Sequence, residues 1–380
     1  MKTRQILLQT PVAPADQFAE LAAIAPSLVL VFGAPAFFTD QAFCRSLAAA
    51  LPDAILLGCS TAGEISPSGV QVDSCALTAV KFEHSRLSTA TTDLADMGDS
   101  ASAGRRLAAQ FDGSGLRAVL VLGQGLNING SALVAGMSEV LGPDVPISGG
   151  LAGDNGAFTR TWTLGPQGVS EHAIVAVGLY GERLRIGHGS FGGWEPFGPV
   201  RKVTRCDGNV LYQLDGEPAL EIYKRYLGDY AKDLPSSGLL FPFAMLGEDR
   251  NASGLIRTIL GIDEAAGSLI LAGEIQADGY LRLMHASTDS LVDGAETAAL
   301  AVRNSNGSPA TSLALLVSCV GRRLVMGDRV DEEVEAVAAV LGKGALLTGF
   351  YSYGEISPFA PGAACKLHNQ TMTITSLTED

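Results

Sequence analysis

The sequence is poor in charge, and basic residues are outnumbered by acidic ones. Charged residues make up 17% of the 380 positions, and 26 Lys and Arg stand against 40 Asp and Glu, a formal net charge of −14. A protein of this sign repels phosphate backbones and anionic lipid on average. We therefore expect no nucleic-acid binding.

The sequence also lacks cysteine pairs, a signal peptide and an unbroken hydrophobic run. The six cysteines are scattered without CxxC spacing, as buried thiols of a reducing compartment are. Only three apolar residues stand between Arg4 and Gln9, too few for a signal peptide. Residues 21–39 carry no charge, but Pro26 and Pro35 interrupt them. These absences predict a cytoplasmic protein without membrane insertion.

An internal repeat is the strongest positive signal. Gly58-Cys-Ser-Thr-Ala-Gly63-Glu-Ile-Ser-Pro67 recurs as Gly349-Phe-Tyr-Ser-Tyr-Gly354-Glu-Ile-Ser-Pro358, and each copy follows an apolar run, an amphipathic helix and a second apolar run. A looser middle copy ends at residues 149–154, where Ala-Gly-Asp aligns with Ala-Gly-Glu of the first copy. We predict three β-α-β-β units and an α+β fold of mixed sheets layered with helices, in two related halves.

A segment of different composition separates the second and third units. Its best-marked element is a helix with Pro218 at its first position and Gly228 as its stop. The Gly-Trp-Glu-Pro-Phe-Gly-Pro stretch at 193–199 marks a boundary. We therefore divide the chain into an N-terminal segment, 1–24, and two domains, 25–198 and 199–380.

The repeated glycine loops are the candidate ligand site. Glycine next to small polar residues after a buried strand lets backbone amides approach a ligand closely, although tight turns need glycine in any case. Because each loop carries an acid after its glycine, we predict that the three loops converge around one small-molecule pocket. The predicted ligand-binding residues are Gly58, Cys59, Ser60, Gly63, Glu64, Gly150, Gly153, Asp154, Tyr353, Gly354, Glu355 and Asn369.

An enzyme is the alternative. Gly58-Cys-Ser-Thr-Ala-Gly63 is one residue too long for the GxSxG nucleophile elbow, and a strand pattern follows where a helix is required. A hydrolase using Ser60 or Cys59 as nucleophile would need a histidine base from elsewhere in the chain. Gly123-Gln-Gly125-Leu-Asn-Ile-Asn-Gly130 lacks GxGxxG spacing, and no P-loop lysine is present.

The five histidines show no zinc-site spacing. A single axial histidine, as haem requires, leaves no spacing signature. His188 lies between glycines, His285 shares an alternating apolar face, and His368 follows the last repeat loop.

The chain resembles the FIST domain proteins of bacterial signal transduction. Segments 57–65 and 146–154 are similar to the amino-terminal signature of the family, and segments 211–226, 349–358 and 367–373 to the carboxy-terminal one. The resemblance identifies 25–198 as a FIST N-type domain and 199–380 as a FIST C-type domain. It implies a non-catalytic sensor of small molecules such as amino acids.

One type within this family, NosP, binds haem, senses nitric oxide and regulates a partner histidine kinase. The resemblance to it implies haem as a candidate cofactor and a sensor histidine kinase or other signalling protein as partner. His368 is then the first choice of axial ligand because it lies in the carboxy-terminal signature, with His188 and His285 behind it.

Overall fold

Three six-stranded mixed sheets and one eight-stranded antiparallel sheet organise the protein. The structure is a computed structural model that describes residues 1–12, 15–247, 250, 252–305, 313–359 and 362–380. Each six-stranded sheet is built around one parallel strand pair, and helices connect the strands of each pair. The α+β class with repeated units is confirmed.

The first unit runs from the N-terminus to residue 81. Its elements are β1 (Lys2–Leu8), α1 (Ala19–Ala22), β2 (Leu28–Gly33), α2 (Pro35–Thr39), α3 (Gln41–Ala50), β3 (Ile55–Ser60), β4 (Glu64–Ser66), β5 (Gly69–Gln71) and β6 (Cys75–Lys81).

The second unit repeats this order with longer helices. Its elements are β7 (Arg86–Asp93), α4 (Ser100–Ala108), β8 (Leu116–Gly123), α5 (Gly130–Leu141), β9 (Ile147–Leu151), β10 (Thr163–Gly165), β11 (Gly168–Ser170) and β12 (Ala173–Tyr180).

The third unit begins with β13 (Leu184–Phe191), and residues 195–285, here called the insert, interrupt it. The insert contains β14 (Glu195–Asp207), β15 (Val210–Leu214), β16 (Glu217–Pro218), α6 (Ala219–Leu227), β17 (Phe243–Leu246), β18 (Ala252–Arg257), β19 (Ile259–Asp263), β20 (Ser268–Leu271) and β21 (Tyr280–His285). The unit continues with α7 (Thr288–Ser305), β22 (Leu313–Cys319), α8 (Val320–Met326), α9 (Asp331–Leu341), β23 (Leu346–Ser352), β24 (Gly354–Pro358), β25 (Cys365–His368) and β26 (Met372–Glu379).

The position of β13 corrects the predicted organisation. β13 pairs along its whole length with β26, so it belongs to the third sheet. The insert therefore lies inside the third unit, whereas the sequence predicted a segment between the second and third units. β14 runs through residues 198 and 199, and the division of the chain there stays a prediction.

Local sequence explains the elements of the first unit. Every residue of β2 is buried, as expected for a strand covered on both faces and paired in parallel with β3. α3 buries Phe43 and Leu47, and the Asp40 carboxylate caps it by accepting the Phe43 N–H at 2.9 Å. Thr39, one residue earlier, ends α2.

The hairpin that follows each glycine loop crosses into the sheet of another unit. β4 and β5 extend the third sheet through β23, β10 and β11 extend the first through β3, and β24 and β25 extend the second through β9. The exchange is cyclic and gives the three units an approximate threefold arrangement. The three strand-to-hairpin corners therefore meet.

The core lies where the three sheets face one another. Leu30, Leu120 and Leu315, one from each unit, belong to a single buried cluster. Phe32 of the first unit stacks on Phe350 of the third, with ring centroids 4.7 Å apart. Burial of such rings is a large source of stability. Among the described residues, no helix combines the length and hydropathy that a membrane crossing requires.

Candidate functional site

The three repeated loops form a closed junction of backbone hydrogen bonds. The first loop contacts the third, because Ala62 N–H donates to Tyr351 O and Tyr351 N–H to Gly63 O, both at 2.8 Å. The second contacts the first through Gly153 N–H and Ser60 O at 2.8 Å. The third contacts the second through Tyr353 N–H and Leu151 O, at 3.1 Å. The predicted convergence of the loops is confirmed.

Glu64 and Glu355 occupy equivalent positions in this three-loop junction. Each accepts a hydrogen bond from the hydroxyl three residues earlier, Thr61 or Ser352. Each also accepts from the amide and hydroxyl of the residue before the next long strand, Ser74 or Thr371, at 2.7–3.2 Å. The two carboxyl groups therefore brace their loops.

Burial dominates the ionisation of both groups. It raises the pKa of Glu64 to about 7 and that of Glu355 to about 8, and the hydrogen bonds only partly oppose this. Both carboxyl groups lie at or below 1% exposure. Near neutral pH these sites therefore hold a substantial protonated fraction.

Asp154 is not the counterpart of these two acids. Thr163 holds the position equivalent to Glu64, because it pairs with Cys59 of β3 as Glu64 pairs with Phe350 of β23. The Thr163 hydroxyl donates to Ala173 O at 2.9 Å. The predicted alignment of Asp154 with Glu64 is therefore wrong, because the second unit has a longer connection, 152–162, between its strand and its hairpin.

Asp154 instead organises that longer connection. Its carboxylate accepts the amide hydrogens of residues 158, 159 and 160 and the hydroxyl of Tyr353. Tyr353 stacks on Phe158 with centroids 4.3 Å apart. Burial raises the pKa of Asp154, but these hydrogen bonds outweigh it and the net pKa is lowered. Asp154 is therefore an ionised brace between the second and third loops.

The glycines let the loops pack against one another. A Cβ on Gly153 would lie 2.8 Å from Ala62 N, and one on Gly63, at φ 131°, would lie 3.2 Å from Tyr351. Of five cavities of about 310 to 530 Å³ in the described part of the chain, none is lined by the predicted loop residues. The corners approach one another closely at these two glycines, and the ligand role of the predicted residues stays a prediction.

The candidate nucleophiles are buried at the same junction. Cys59 is fully buried, and burial raises the pKa of its thiol well above the usual value. Ser60 Oγ accepts the Trp162 N–H at 2.9 Å. Among the described residues, no imidazole is hydrogen-bonded to either side chain. The base that a hydrolase would need is therefore missing from their immediate surroundings.

His368 does not fit an axial haem ligand in this structure. Nε2 donates to Ser357 O at 2.7 Å, while Nδ1 is buried without a partner. Phe359 packs edge-on against the imidazole, with ring centroids 4.2 Å apart, so an aromatic side chain already covers one side of the ring. Burial lowers the pKa of His368 to about 4, so the ring is neutral.

The other two histidines differ sharply from each other. His188 is 5% exposed, its Nδ1 lies 3.3 Å from Ser148 Oγ, and its Nε2 has no partner. His285 is exposed and 3.9 Å from Glu195. No group of three or more His, Cys, Asp or Glu side chains in the described ranges is arranged to hold a metal ion.

Buried polar atoms without partners gather around the insert and the third unit. Gln370 donates from Nε2 to Leu239 O of the insert at 2.9 Å, yet its Oε1 has no partner. Such atoms are rare in native proteins and mark sites for water or ligand. The others in this region are His188 Nε2, Ser190 Oγ, Arg201 Nε, Thr258 Oγ1, His368 Nδ1 and Asn369 Oδ1.

An apolar cavity of about 330 Å³ lies at this interface. We call it the Trp194 cavity; its lining includes Ser190, Trp194, Ala244, Ile256, Met284, Phe359 and Thr371. Trp194 Nε1 donates to Gln370 O at 2.8 Å, which fixes the indole. Of the predicted residues, Glu355 contacts this lining through Thr371, and His368 through Phe359.

Sequence reasoning missed most of the Trp194 cavity. Gly193 and Trp194 belong to the stretch at 193–199 that predicts only a domain boundary, and Ser190 carries no sequence signal. Thr371 stood in the carboxy-terminal signature, but its contact with Glu355 depends on folding.

Comparisons with curated proteins give two partial likenesses. A 100-residue stretch is 35% identical to an uncharacterised protein of Methanocaldococcus jannaschii and covers 25% of this chain and 19% of that protein. A 201-residue stretch is 30% identical to an uncharacterised protein of Mycobacterium tuberculosis, covering 49% of this chain and 51% of that one. The matches thus span about a fifth and about half of these relatives' lengths.

Among solved structures, two cyanuric acid hydrolases align along the whole chain. One, from A. caulinodans, has a TM-score of 0.36 at 12% identity and 99% coverage of both chains. The other has a TM-score of 0.31 at 11% identity and 100% coverage of both. Likeness at this level carries no argument about this chain.

The family comparison is decisive. The FIST N domain matches residues 27–217, half of the chain, and the FIST C domain matches residues 219–358. The chain belongs to the FIST family and carries both of its domains.

Proposed function

We propose that this protein is a non-catalytic sensor of small molecules in bacterial signal transduction and that its ligand occupies the Trp194 cavity. Membership of the FIST family implies a small-ligand sensory role. The observation that carries the assignment to this cavity is the unpartnered, buried Ser190 Oγ in an otherwise mostly apolar lining. Ligand pockets of about 300–1,000 Å³ combine an apolar wall with a few polar groups in this way.

The ligand class follows from the lining. Of the side chains named for the Trp194 cavity, none is charged, and the hydroxyls of Ser190 and Thr371 are its polar contacts. A charged group would lose its hydration there without gaining a partner. The proposed ligand is an uncharged organic molecule with one or two hydrogen-bonding groups.

The position of the cavity supports a signalling role. It lies between the insert, which contributes Ala244 and Met284, and the third unit, which contributes Ser190 and Thr371. Pockets between two packed bodies couple occupancy to their relative position. Thr371 also donates to Glu355, so a ligand at this wall contacts a side chain that braces the three-loop junction.

The proposed output is a change in the contact with a separate protein. A sensor histidine kinase is the partner class that the family resemblance implies. In this proposal Glu355 contacts the cavity wall through Thr371, and Glu64 and Asp154 brace the three-loop junction.

Trp194 itself supplies the test. The chain has two tryptophans, so Trp162→Phe leaves Trp194 as the sole reporter. Cyclohexanol, an uncharged alcohol that does not absorb in the near ultraviolet, is the probe. We expect a saturable change in Trp194 emission that Ala244→Leu removes by filling the cavity.

Ala135→Leu is the matched control, because Ala135 lines a different cavity. Native circular dichroism of each variant shows that the fold is retained. A response that is unsaturable, or that survives Ala244→Leu, would refute the Trp194 cavity as the site.

The hydrolase alternative has its own test. The full chain is screened with ester, amide and thioester substrates, beside Ser60→Ala and Cys59→Ala. We expect no turnover above background. Turnover that either substitution abolishes would overturn the sensor assignment.

A further inference from the structure

Arg257 is a buried cation for which the described part of the chain supplies no acidic partner. It ends β18 at 4% exposure. Its guanidinium donates to the backbone carbonyls of Glu274 at 3.1 Å, Ile256 at 3.2 Å and Leu367 at 3.5 Å. No carboxylate of the described residues lies within 4.0 Å of it. Neutral carbonyls orient this charge but do not neutralise it.

Arg322 provides a comparison within the same protein, because it is a buried guanidinium with a structural role. Arg322 is fully buried and pairs with Glu333 through Nη2 at 2.7 Å and Nε at 3.1 Å. Glu333 in turn accepts from Ser318 and Tyr351. Burying Arg257 without such a partner costs free energy that this fold avoids elsewhere.

A cavity of about 310 Å³ adjoins the unpaired cation. We call it the Arg257 cavity; its lining includes Ser131, Val134, Arg257, Glu274, Lys366 and Leu367. Ser131 Oγ is buried and unpartnered, on the first turn of the twelve-residue α5. The guanidinium sits tightly in its slot, since a Cβ on Gly273 would lie 2.8 Å from its Nε.

We propose that the Arg257 cavity binds a small organic carboxylate, which Arg257 holds by charge-assisted hydrogen bonds and Ser131 by its hydroxyl. Guanidinium presents planar paired donors that match a carboxylate. The positive end of α5 favours the same charge. This cavity is distinct from the Trp194 cavity, although Leu255 lines both, and the proposal does not depend on the proposed function.

The rim carries one charge of each sign. Lys366 and Glu274 are both exposed, and Glu274 Oε1 accepts from Asn129 at 3.2 Å. Glu274 is the acid whose field acts on Arg257, yet it lies beyond ion-pair distance. The rim is therefore neutral overall, and the charge preference of the cavity comes from Arg257.

Thermal unfolding of the full chain in acetate, succinate and benzoate, with ionic strength held constant by sodium chloride, tests the site. We expect at least one carboxylate to raise the Tm in a saturable manner. Arg257→Met weakens that binding by about 10–100-fold, the range for losing a charge-assisted hydrogen bond.

Two further variants keep the result interpretable. Arg329→Met removes an exposed arginine already paired with Asp289 and Glu332, and it should leave the response intact. Ala135→Phe obstructs the cavity from an exposed helical position while Arg257 remains, so it should abolish the response even where Arg257→Met does not fold.

Three outcomes would overturn the proposal. They are no response to any of the three carboxylates, an equal response in Arg257→Met, and an unchanged response in Ala135→Phe. The same Tm measurement is made with inorganic phosphate. A rise in Tm with phosphate alone would replace the carboxylate assignment by a phosphate one.

Discussion

The three-loop junction and the interface of the insert both bury many polar groups, but only the junction satisfies them. Glu64, Asp154 and Glu355 each accept several hydrogen bonds. At the insert, Ser190, Thr258 and Gln370 leave buried atoms unpartnered. Because unsatisfied buried groups cost stability, the difference indicates that the junction holds the units together, and it supports the proposal that ligands bind at the insert interface.

The largest expected difference is between the effects of replacing the two buried arginines on the free energy of unfolding. Arg322→Met leaves Glu333 buried without its cation, and we expect a loss of about 3–5 kcal/mol in the free energy of unfolding. Arg257→Met removes a charge that has no carboxylate partner, so we expect a change of at most about 1 kcal/mol. Urea denaturation in a buffer free of carboxylates measures both. Equal losses would contradict the assignment of Arg257 as unpaired.

The raised pKa of Glu355 predicts the next largest effect. The folded state favours the protonated form, so the stability contributed is complete below the ordinary pKa of 4.5 and is lost as pH rises through about 8. Glu355→Gln should abolish this decline, on the order of 3 kcal/mol between about pH 5 and 8. Denaturant midpoints across this range measure it, and Glu64→Gln should remove a smaller decline that ends near pH 7. An unchanged pH profile in Glu355→Gln would show that the carboxyl group is ionised throughout.

Close approach at the junction predicts an intermediate effect. The Cβ of Gly153→Ala would meet Ala62 N at 2.8 Å, and we expect a loss of about 1–3 kcal/mol. Gly113→Ala is the matched control, because nothing lies within 4 Å of a Cβ there. Thermal denaturation compares the two. Equal stability of both variants would mean that the junction is looser than its hydrogen bonds indicate.

The smallest expected signal concerns haem. Because Nε2 of His368 is engaged by Ser357 and Phe359 covers the ring, we expect no Soret band that depends on this residue. Absorption spectra of protein from haem-supplemented cells, with and without His368→Ala, measure this. A Soret band lost in His368→Ala would restore the haem assignment.

The sequence predicted the elements within each repeat well and the contacts between repeats poorly. The apolar run that opens each repeat is present as a strand, β2, β8 or β22, because continuous apolar runs are typical of strands buried on both faces. The equivalence of Asp154 and Glu64 was wrong, since a three-residue likeness does not reveal the longer connection before β10.

The candidate site was predictable only at its edge. Glu355 and His368 lie in sequence signatures and contact the lining of the Trp194 cavity through Thr371 and Phe359, but Ser190 and Ala244 come from strands more than 50 positions apart. Arg257 is a single charge in an apolar stretch, and a sequence does not show whether an acid will reach it.

By itself the sequence determined the threefold repetition, the strands and helices of each unit, and the need for glycine at the corners, because hydrophobic periodicity and steric size are local properties. The tertiary structure decided that each hairpin crosses into a neighbouring sheet, that the corners pack against one another, and that Arg322 has a counter-ion whereas Arg257 has none among the described residues. Those outcomes depend on which distant groups share a buried space, because an unpaired charge or hydroxyl has a large free-energy cost only where it is buried.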